Sequence, residues 1–304
     1  MSFFKKNKIL VTHNGTFHAD DLFATATLSI LNNGNIKIIR TRDQEIIKKG
    51  DYVYDVGGEY DVPRNRFDHH QKGGAGARDN GIPYSSFGLV WKNYGEQICG
   101  SKDIARLIDF KLVQPIDSTD NGKDFYTSKF EGVTPYSVEQ IFLSVIPTWK
   151  EDVLNIDKIF KKQVGKVAEL LKREIKIAKD DIEGANMILE DYKNSENKKI
   201  VILKNDFPRY LYQNTLCKLD EPIYIVLPSS KGDAWKVEAV KKNPGTLESR
   251  KLFPESWRGL MESGGKLKEV TGVLDAQFCH QSGFFLTVGS KEGAIELAQK
   301  ALIA

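Results

Sequence analysis

Four of the five histidines of this chain lie in its first 70 residues, in two short motifs rich in carboxylates. The first motif has the spacing His13-x4-His18-x-Asp20, and the second is the triplet Asp68-His69-His70. Imidazole and carboxylate together suit first-row divalent ions such as Mn²⁺, Co²⁺ or Zn²⁺, whereas Mg²⁺ or Ca²⁺ sites rely mainly on oxygen donors. The sequence therefore predicts a metal site.

The first motif spans the end of a predicted strand and the start of a predicted helix. A turn after the strand would present His13, while His18 and Asp20 would lie near the first helical turn. The alternative is that His18 or Asp20 only caps the helix, because Asp is a favoured N-cap and stabilises the positive helix end.

Two further carboxylates follow apolar segments. Asp55 comes at the end of an apolar strand, where a buried unpaired carboxylate would be costly and a cation would compensate it. An Asx-type turn that merely ends the strand is the alternative. In Asp68-His69-His70 adjacent side chains diverge, so one imidazole can bind metal while the next faces substrate. A surface His-His pair is the plainer interpretation.

The segment Asp117-Ser118-Thr119-Asp120-Asn121-Gly122 is a further candidate source of ligands. It is expected to follow a helix that ends near Pro115, and Asn-Gly favours a simple polar turn. If the segment binds metal, either Asp117 or Asp120 supplies the carboxylate.

The elements that must position these groups alternate between strand and helix. This β-α-β-α-β order predicts a parallel α/β sheet with ligands at the carboxyl ends of its strands. Apolar spacing predicts helices over 84–116 and 137–193, including one long amphipathic helix from about Ile156 to Glu183. The predicted elements of the first lobe are strands Ile9–Thr12, Ile36–Arg40 and Tyr52–Val56 and helices from Asp21 to about Asn32 and from Gln44 to Lys48.

Length and composition favour two domains. A chain of 304 residues with 40% hydrophobic content exceeds the usual size of one domain. The polar stretch 193–199 is the best linker candidate, which predicts a metal-binding catalytic domain over 1–195 and a smaller α/β substrate-binding domain over 196–304, joined by long helices. Predicted elements of the second domain are strands Ile200–Leu203, Ile223–Leu227, Trp235–Val240 and Phe284–Val288 and a closing helix Lys291–Ile303.

Charge and cysteine content narrow the protein class. Lys plus Arg number 44 and Asp plus Glu 41, a net charge of +3 that permits an anionic substrate without proving one. The three cysteines form no Cys-x-x-Cys pair, so neither a disulfide framework nor a thiolate zinc site is predicted. With neither an apolar signal core nor a long apolar stretch, we expect a cytoplasmic protein without a membrane span.

The ordered motifs resemble the melanocyte proliferating gene family of metal-dependent hydrolases, within the DHH phosphoesterase superfamily. The resemblance spans nearly the whole chain. It rests on the motif His13-x4-His18-x-Asp20, the segment Asp55-Val56-Gly57-Gly58-Glu59-Tyr60-Asp61, the motif Asp68-His69-His70-Gln71, the motif Asp117-x-x-Asp120-Asn121-Gly122, and later segments at 84–89, 147–149, 254–260 and 280–284.

This resemblance implies two divalent ions, usually Mn²⁺, with Mg²⁺, Co²⁺ or Zn²⁺ as alternatives. It implies that His13 and His18 bind one ion, that Asp20, His69 and Asp120 bind the other, and that Asp55 bridges them. His70 would face phosphate, and Asp68 could orient His70 or His69. The wider superfamily has His-x3-Asp-x-Asp as its first motif, so His18 stands here where an Asp is expected. Asp120 is preferred to Asp117 because Asp-Asn-Gly resembles the Asp-Thr-Gly of related nucleases.

In the predicted second domain, phosphate or base contacts are expected from Arg258, His280, Ser282 and Gly283. These residues combine a bidentate phosphate donor with small residues that allow close backbone approach. Trp257 offers an aromatic face. The alternatives are a core Trp257, a surface ion pair at Arg258 and a simple turn at Gly283.

The leading functional hypothesis is a two-metal phosphodiesterase, a 3′-to-5′ exonuclease on RNA as the resemblance implies. A second hypothesis is hydrolysis of short oligonucleotides, cyclic dinucleotides or pyrophosphate. A third is a non-catalytic RNA-binding protein that kept the fold. The expected partner is RNA or an oligonucleotide, and a homodimer is compatible with the sequence.

Overall fold

The structure is a computed structural model that describes residues 6–151, 155–229, 232, 234–261 and 266–304. Its contacts divide the chain into two compact units, Met1–Lys179 and Asp180–Ala304. This division lies inside the long helix, earlier in the chain than the predicted boundary near residue 195. The domain functions assigned to 1–195 and 196–304 stay predictions. The expectation that the N-terminus has no apolar signal core concerns residues 1–5, which lie outside the described residues. So do residues 152–154 of the predicted helical region 137–193.

The first unit is built on a mostly parallel sheet. Its strands lie in the order β2-β1-β3-β5-β4, and all neighbours run parallel except the antiparallel pair β4 and β5. The predicted α/β fold class is thus confirmed. The strands are β1 (Lys8–Thr12), β2 (Ile36–Arg40), β3 (Tyr52–Tyr54), β4 (Tyr60–Asp61) and β5 (Arg66–Phe67).

Helices cover both faces of this sheet. On one face, Leu10 and Tyr54 pack with Leu28 of the first helix, and on the other Val11 and Val53 pack with Ile47. This alternation follows from the two-residue period of a strand. The helices that begin in this unit are α1 (Ala19–Leu31), α2 (Gln44–Ile47), α3 (Ser86–Cys99), α4 (Lys102–Ile108), α5 (Gln114–Asp120), α6 (Val138–Leu143) and α7 (Ile156–Asn194).

The predicted helix end near Pro115 is wrong. A π-helical segment, Asp109–Val113, leads directly into α5, where Pro115 occupies the first turn. The Gln114 N–H donates to the Asp109 carbonyl five residues back, so the helix is continuous across this junction. Pro115 has no N–H and interrupts the regular hydrogen bonding without ending the helix. The helix therefore continues to Asp120, and the turn begins only at Asn121 and Gly122, whose φ is 64°.

The second unit holds a mixed sheet in the order β6-β7-β8-β10-β9, parallel only between β6 and β7. Four of its strands match the predicted segments within a residue or two, whereas β9 and the helices α8 and α9 were not predicted. Its elements are β6 (Ile200–Ile202), α8 (Arg209–Leu216), β7 (Tyr224–Pro228), β8 (Trp235–Ala239), α9 (Lys266–Thr271), β9 (Ala276–Cys279), β10 (Phe285–Val288) and α10 (Lys291–Ile303).

No helix among the described residues combines the length and the apolar composition that crossing a bilayer requires.

Candidate metal centre

Three neighbouring parallel strands deliver the predicted ligands to one edge of the first sheet. β1 ends directly before His13, β3 directly before Asp55, and β5 directly before the Asp68-His69-His70 triplet. Because β1, β3 and β5 are parallel neighbours, their carboxyl ends meet at the same edge. The positions that the motifs indicated separately along the sequence therefore converge in space.

Asp55 is the centre of this cluster. Its Oδ2 lies 3.1 Å from His13 Nε2, and its Oδ1 lies 3.4 Å from His69 Nε2. The two oxygens of one carboxylate thus face two different histidines. Asp55 is almost fully buried and has a φ of 55°, a left-handed conformation that is uncommon outside glycine. Such strain is found where the surrounding structure holds a side chain for a purpose, which suits a bridging ligand.

The remaining candidates form a second group next to the first. His18, Asp20 and Asp120 bring one potential ligand atom each within 4.8 Å of one another, and so do His13, His18 and Asp55. His18 therefore belongs to both groups. Asp120 Oδ2 also lies 3.4 Å from His69 Nε2, which connects α5 to the end of β5.

Asp20 provides the sharpest test of whether this cluster suits a cation. It is completely buried, and neither of its carboxylate oxygens has a hydrogen-bond partner among the described residues. A buried carboxylate without partners is strongly disfavoured in a protein interior. A divalent cation would satisfy it, and the mixed imidazole and carboxylate donors around it match first-row ions.

The pKa shifts of the buried carboxyl groups also indicate that the cluster suits a cation. Burial raises the pKa of Asp20 well above its usual value, and the negative charges of Asp55 and Asp120 raise it further. Burial would also raise the pKa of Asp55, but hydrogen bonds with His13 and His69 hold it below its usual value. The cluster concentrates negative charge that a cation would neutralise.

The capping interpretation of the first motif is partly right. His18 is the N-cap residue of α1, and its backbone N–H donates to Asp21 Oδ1 at 3.0 Å. The capping carboxylate is therefore Asp21, which leaves the Asp20 carboxylate free for the cluster. Asp21 Oδ2 lies 3.4 Å from His13 Nε2, the nitrogen that also faces Asp55. The other ring nitrogen, Nδ1, lies 3.1 Å from the Asn14 carbonyl, which orients the imidazole.

Asp68 organises its own loop. It accepts hydrogen bonds from the backbone N–H groups of Gly58, His69 and His70 at 2.5, 2.8 and 3.1 Å. Its Oδ1 is also 2.8 Å from His70 Nδ1, and this hydrogen bond raises the pKa of His70. The side chain of His70 is 63% exposed while that of His69 is only 8% exposed. His69 is thus buried in the cluster, whereas the His70 ring lies mostly in solvent with its Nδ1 3.5 Å from Asp55 Oδ1. That one imidazole binds metal while the other faces substrate stays a prediction.

The two candidates on α5 have different environments. Asp117 accepts hydrogen bonds from Ser85 Oγ at 2.5 Å, Gly88 N at 3.0 Å and Arg78 Nη1 at 2.7 Å. Burial raises its pKa to about 6, and these donors counteract the rise. Its oxygens are occupied, whereas Asp120 faces Asp20 and His69. The geometry therefore favours Asp120 as the ligand and makes Asp117 the anchor of the helix.

A cleft of about 740 Å³ opens above the cluster. Besides the predicted residues, Arg42 and Gln44 line it, and the sequence reasoning missed both. Arg42 follows the carboxyl end of β2, which neighbours β1, so the strand-end rule could have indicated it. Its guanidinium is a cationic donor suited to a phosphate group.

Two residues distant in sequence hold the first motif in place. Arg40 Nη2 donates to the Gly15 carbonyl at 2.8 Å, and Arg40 Nη1 pairs with Asp157 of α7 at 2.7 Å. Glu139 of α6 accepts a hydrogen bond from Ala19 N, the first residue of α1, at 2.8 Å. No sequence pattern could have indicated the Glu139 contact, because it joins positions 120 residues apart.

The candidates in the second unit lie near one another. Arg258 Nε donates to the Phe253 carbonyl at 2.9 Å, and a side chain at Gly283 would collide with Arg258. His280 Nδ1 accepts from the Ser282 backbone N–H at 3.1 Å, and Gly283 has a φ of 66°. Trp257 is buried and stacks on Phe253 at 6.3 Å, so it is a core residue, as its alternative interpretation held.

Comparison with known proteins gives one consistent family. The family model MYG1_exonuc, described as "Uncharacterised protein family (UPF0160)", matches residues 9–302. The MYG1 exonuclease of Rattus norvegicus is 30% identical over 323 residues, which cover 96% of this chain and 84% of that protein. The MYG1 protein of Dictyostelium discoideum is 30% identical over 325 residues, covering 96% of both chains.

The MYG1 exonuclease of Homo sapiens is 29% identical over 324 residues, covering 96% of this chain and 85% of that protein. Among solved structures, the pGpG-specific phosphodiesterase PggH of Vibrio cholerae covers 98% of both chains at 12% identity and a TM-score of 0.32. A likeness at that level supports no conclusion about this protein.

Fold, site and relatives together define a metal-dependent hydrolase of the nuclease class with an α/β architecture. The chain belongs to the MYG1 exonuclease family, which confirms the resemblance found in its motifs.

Proposed function

We propose that this protein is a two-metal phosphodiesterase of the DHH superfamily that degrades RNA as a 3′-to-5′ exonuclease. The single observation that carries the metal-centre proposal is the position of Asp55, whose two oxygens face His13 and His69 at 3.1 and 3.4 Å. The RNA substrate and the polarity rest on the family resemblance, and the exonuclease activity also rests on the names of the mammalian relatives.

The ligands are assigned to two adjacent positions. His13 and His18 would hold one ion, Asp20, His69 and Asp120 would hold the other, and Asp55 would contact both. The mixed donor set favours Mn²⁺ over Mg²⁺, with Co²⁺ or Zn²⁺ as alternatives. The unpartnered Asp20 oxygens are the local support for the second position.

Two bound divalent ions would supply an acidified water nucleophile and neutralise negative charge on the phosphoryl group. The chain's own residues do the rest. His70 faces solvent beside the cluster and can donate a hydrogen bond to a phosphate oxygen, while Asp68 fixes its ring through Nδ1 at 2.8 Å. Arg42 can neutralise a further phosphate oxygen within the cleft.

In the second unit, Arg258, His280, Ser282 and Gly283 are proposed to bind a phosphate or base of the substrate. Gly283 allows the Arg258 side chain to pack over the turn, and the Ser282 N–H holds the His280 ring. Arg258 Nε donates to the Phe253 carbonyl, and Nη1 lies 3.8 Å from Glu255 Oε1, the surface ion pair that the alternative interpretation expected. An anion bound here would compete with the exposed Glu255 carboxylate for the guanidinium.

The test is a time course with metal-stripped protein, 5′-labelled single-stranded RNA and added Mn²⁺. We expect products that shorten one nucleotide at a time from the 3′ end, and no products with Asp55→Asn. Cleavage of cyclic dinucleotides or pyrophosphate without RNA degradation would instead identify a small-substrate phosphoesterase. RNA binding without cleavage under any of the divalent ions would identify a binding protein.

A further inference from the structure

An aromatic surface begins five residues after the proposed ligand Asp120. Phe125, Tyr126 and Tyr136 are 48%, 38% and 67% exposed, which is unusual for rings close to a buried polar cluster. The rings of Phe125 and Tyr126 lie 5.4 Å apart at 79°, so they form two walls of a corner. We call Phe125, Tyr126 and Tyr136 the aromatic platform.

Two cavities adjoin the aromatic platform. An apolar cavity of about 260 Å³ lies against Ile116 and Pro135, and all three platform rings line it. A more polar cavity of about 320 Å³ is lined by Lys123 together with Phe125 and Tyr126. The flat apolar walls match a nucleotide base. The polar cavity also holds the carboxylates of Asp124 and Glu139 beside Lys123, so it does not favour a phosphate, which is placed at the metal centre.

Both cavities lie beside elements that carry the metal centre, although neither shares a described lining residue with the cleft above the cluster. Thr119 and Glu139 line each of them. Thr119 precedes Asp120 on α5, and the Glu139 carboxylate accepts the hydrogen bond from Ala19 at the start of α1, next to Asp20. A strand whose phosphate lies at the metal centre can therefore place an adjacent base at the platform.

The platform is held at several points. Phe142 of α6 is buried and contacts Phe23 of α1 with ring centroids 5.6 Å apart. The backbone N–H of Lys123 donates to the Ser118 carbonyl at 2.8 Å, and Ser118 Oγ donates back to the Lys123 carbonyl at 2.9 Å. The platform therefore lies between α5, which carries Asp120, and α6, which packs on α1.

We propose that the aromatic platform is a base-stacking subsite for single-stranded nucleic acid, and that it binds a nucleotide next to the scissile phosphate. This inference rests on the proposed function, because it uses the metal centre to place the phosphate. Stacking on aromatic faces is tolerant of base identity, so the subsite selects single strands rather than a sequence. A paired base would have its faces covered by its neighbours in the duplex.

The test measures binding separately from cleavage. Fluorescence anisotropy of a labelled single-stranded RNA is recorded with the full chain in EDTA, where metal-dependent cleavage cannot occur. Stacking is worth roughly 1–3 kcal/mol per base, so we expect Phe125→Ala to weaken binding by about 5- to 150-fold. Phe125→Leu keeps an apolar side chain but loses the ring, and it should weaken binding similarly, whereas Phe125→Trp should retain it.

A series of RNAs with one abasic site at successive positions gives a readout that a purely structural role would not change. When the abasic site replaces the base that stacks, the parent and Phe125→Ala should bind that RNA with equal affinity. The control is Phe110→Ala, which removes a ring that is 71% exposed on the π-helical segment of the same unit and should leave binding unchanged.

Several results would overturn the proposal. One is that Phe125→Ala binds RNA as tightly as the parent. Another is that Phe125→Ala loses the same affinity for every abasic RNA, whatever the position of the missing base. A third is that Phe110→Ala loses as much RNA affinity as Phe125→Ala. A shift from dimer to monomer on Phe125→Ala with unchanged RNA affinity would instead make this face a subunit interface. If the parent binds RNA through the platform but cleaves nothing with Mn²⁺, the proposed function fails while the stacking subsite stands.

Discussion

Asp20→Asn should stabilise the metal-free protein while it abolishes the response to metal. In the absence of a cation, Asp20 is a completely buried carboxylate with two unpartnered oxygens and the charges of Asp55 and Asp120 nearby. An asparagine of nearly the same shape removes the charge. From the cost of unsatisfied buried polar and charged groups, the gain should be roughly 1–3 kcal/mol.

The stability gain from Asp20→Asn should increase as the pH rises. Because burial raises the pKa of Asp20, the folded parent binds a proton more tightly than the unfolded chain does. The parent therefore loses stability as the pH rises above the ordinary Asp pKa of about 3.9, and Asp20→Asn does not share this loss. The difference between the two proteins should be small at acid pH and grow towards neutral pH.

The assay is thermal unfolding in EDTA and in Mn²⁺. In EDTA, Asp20→Asn should raise the Tm of the metal-binding unit by about 2–10 °C. Saturating Mn²⁺ at about 100 times its Kd should stabilise the parent by about 2.7 kcal/mol and the variant by far less.

Asp117→Asn is the matched control, because it changes another completely buried carboxylate of the same unit, one that Ser85, Gly88 and Arg78 already satisfy. It should lower the stability in EDTA by about 3 kcal/mol, since it leaves the Arg78 guanidinium without one of its partners. A destabilised Asp20→Asn in EDTA, or an equal Mn²⁺ response in parent and variant, would refute the reasoning.

Three further predictions follow from the geometry. Asp55→Asn should lower kcat on RNA by at least about a hundredfold, because one neutral amide cannot replace a carboxylate shared by His13 and His69. RNase assays over a Mn²⁺ titration should show no recovery of activity at high Mn²⁺ concentration. In steady-state kinetics, Arg42→Ala should lower kcat/KM about 10- to 100-fold through the loss of one charged phosphate contact. The control Lys48→Ala, which removes a surface ion pair with Glu45, should leave kcat/KM unchanged. Gly88→Ala should lower the Tm measured by calorimetry, because the new methyl group collides with the Asp117 carboxylate, and an unchanged Tm would argue against the observed packing of α3 on α5.

Local sequence signals were sufficient for the elements that carry the site. β1, β2, α1 and α2 have strong apolar periods and clear ends, and they lie within a few residues of their predicted bounds. Asn33 and Gly34, both at positive φ, end α1 where the sequence indicated. The signals failed at Pro115, where proline was taken as a helix end although it lies in the first turn of α5.

Short elements in the second unit were harder to predict. β9 has only four residues, with two partly buried positions between two buried ones, so it shows no two-residue alternation that would distinguish it from a loop. It is a strand because β10 supplies the backbone partners, with a register shift between Thr287 and Val288. Pairing of this kind depends on tertiary contacts and leaves little trace in a single segment.

The sequence by itself determined which side chains are available for chemistry and that they follow strand ends. Residue type fixes donor chemistry, and the two-residue and 3.6-residue periods fix the local elements. Only the tertiary structure decided that β1, β3 and β5 are neighbours, and hence that His13, Asp55 and His69 meet. It also separated Asp120, which faces Asp20, from Asp117, which binds Arg78, because a three-residue offset on a helix gives two carboxylates different neighbours. The role of Glu139 depends on its contact with Ala19, 120 residues away in the sequence, which no local pattern contains.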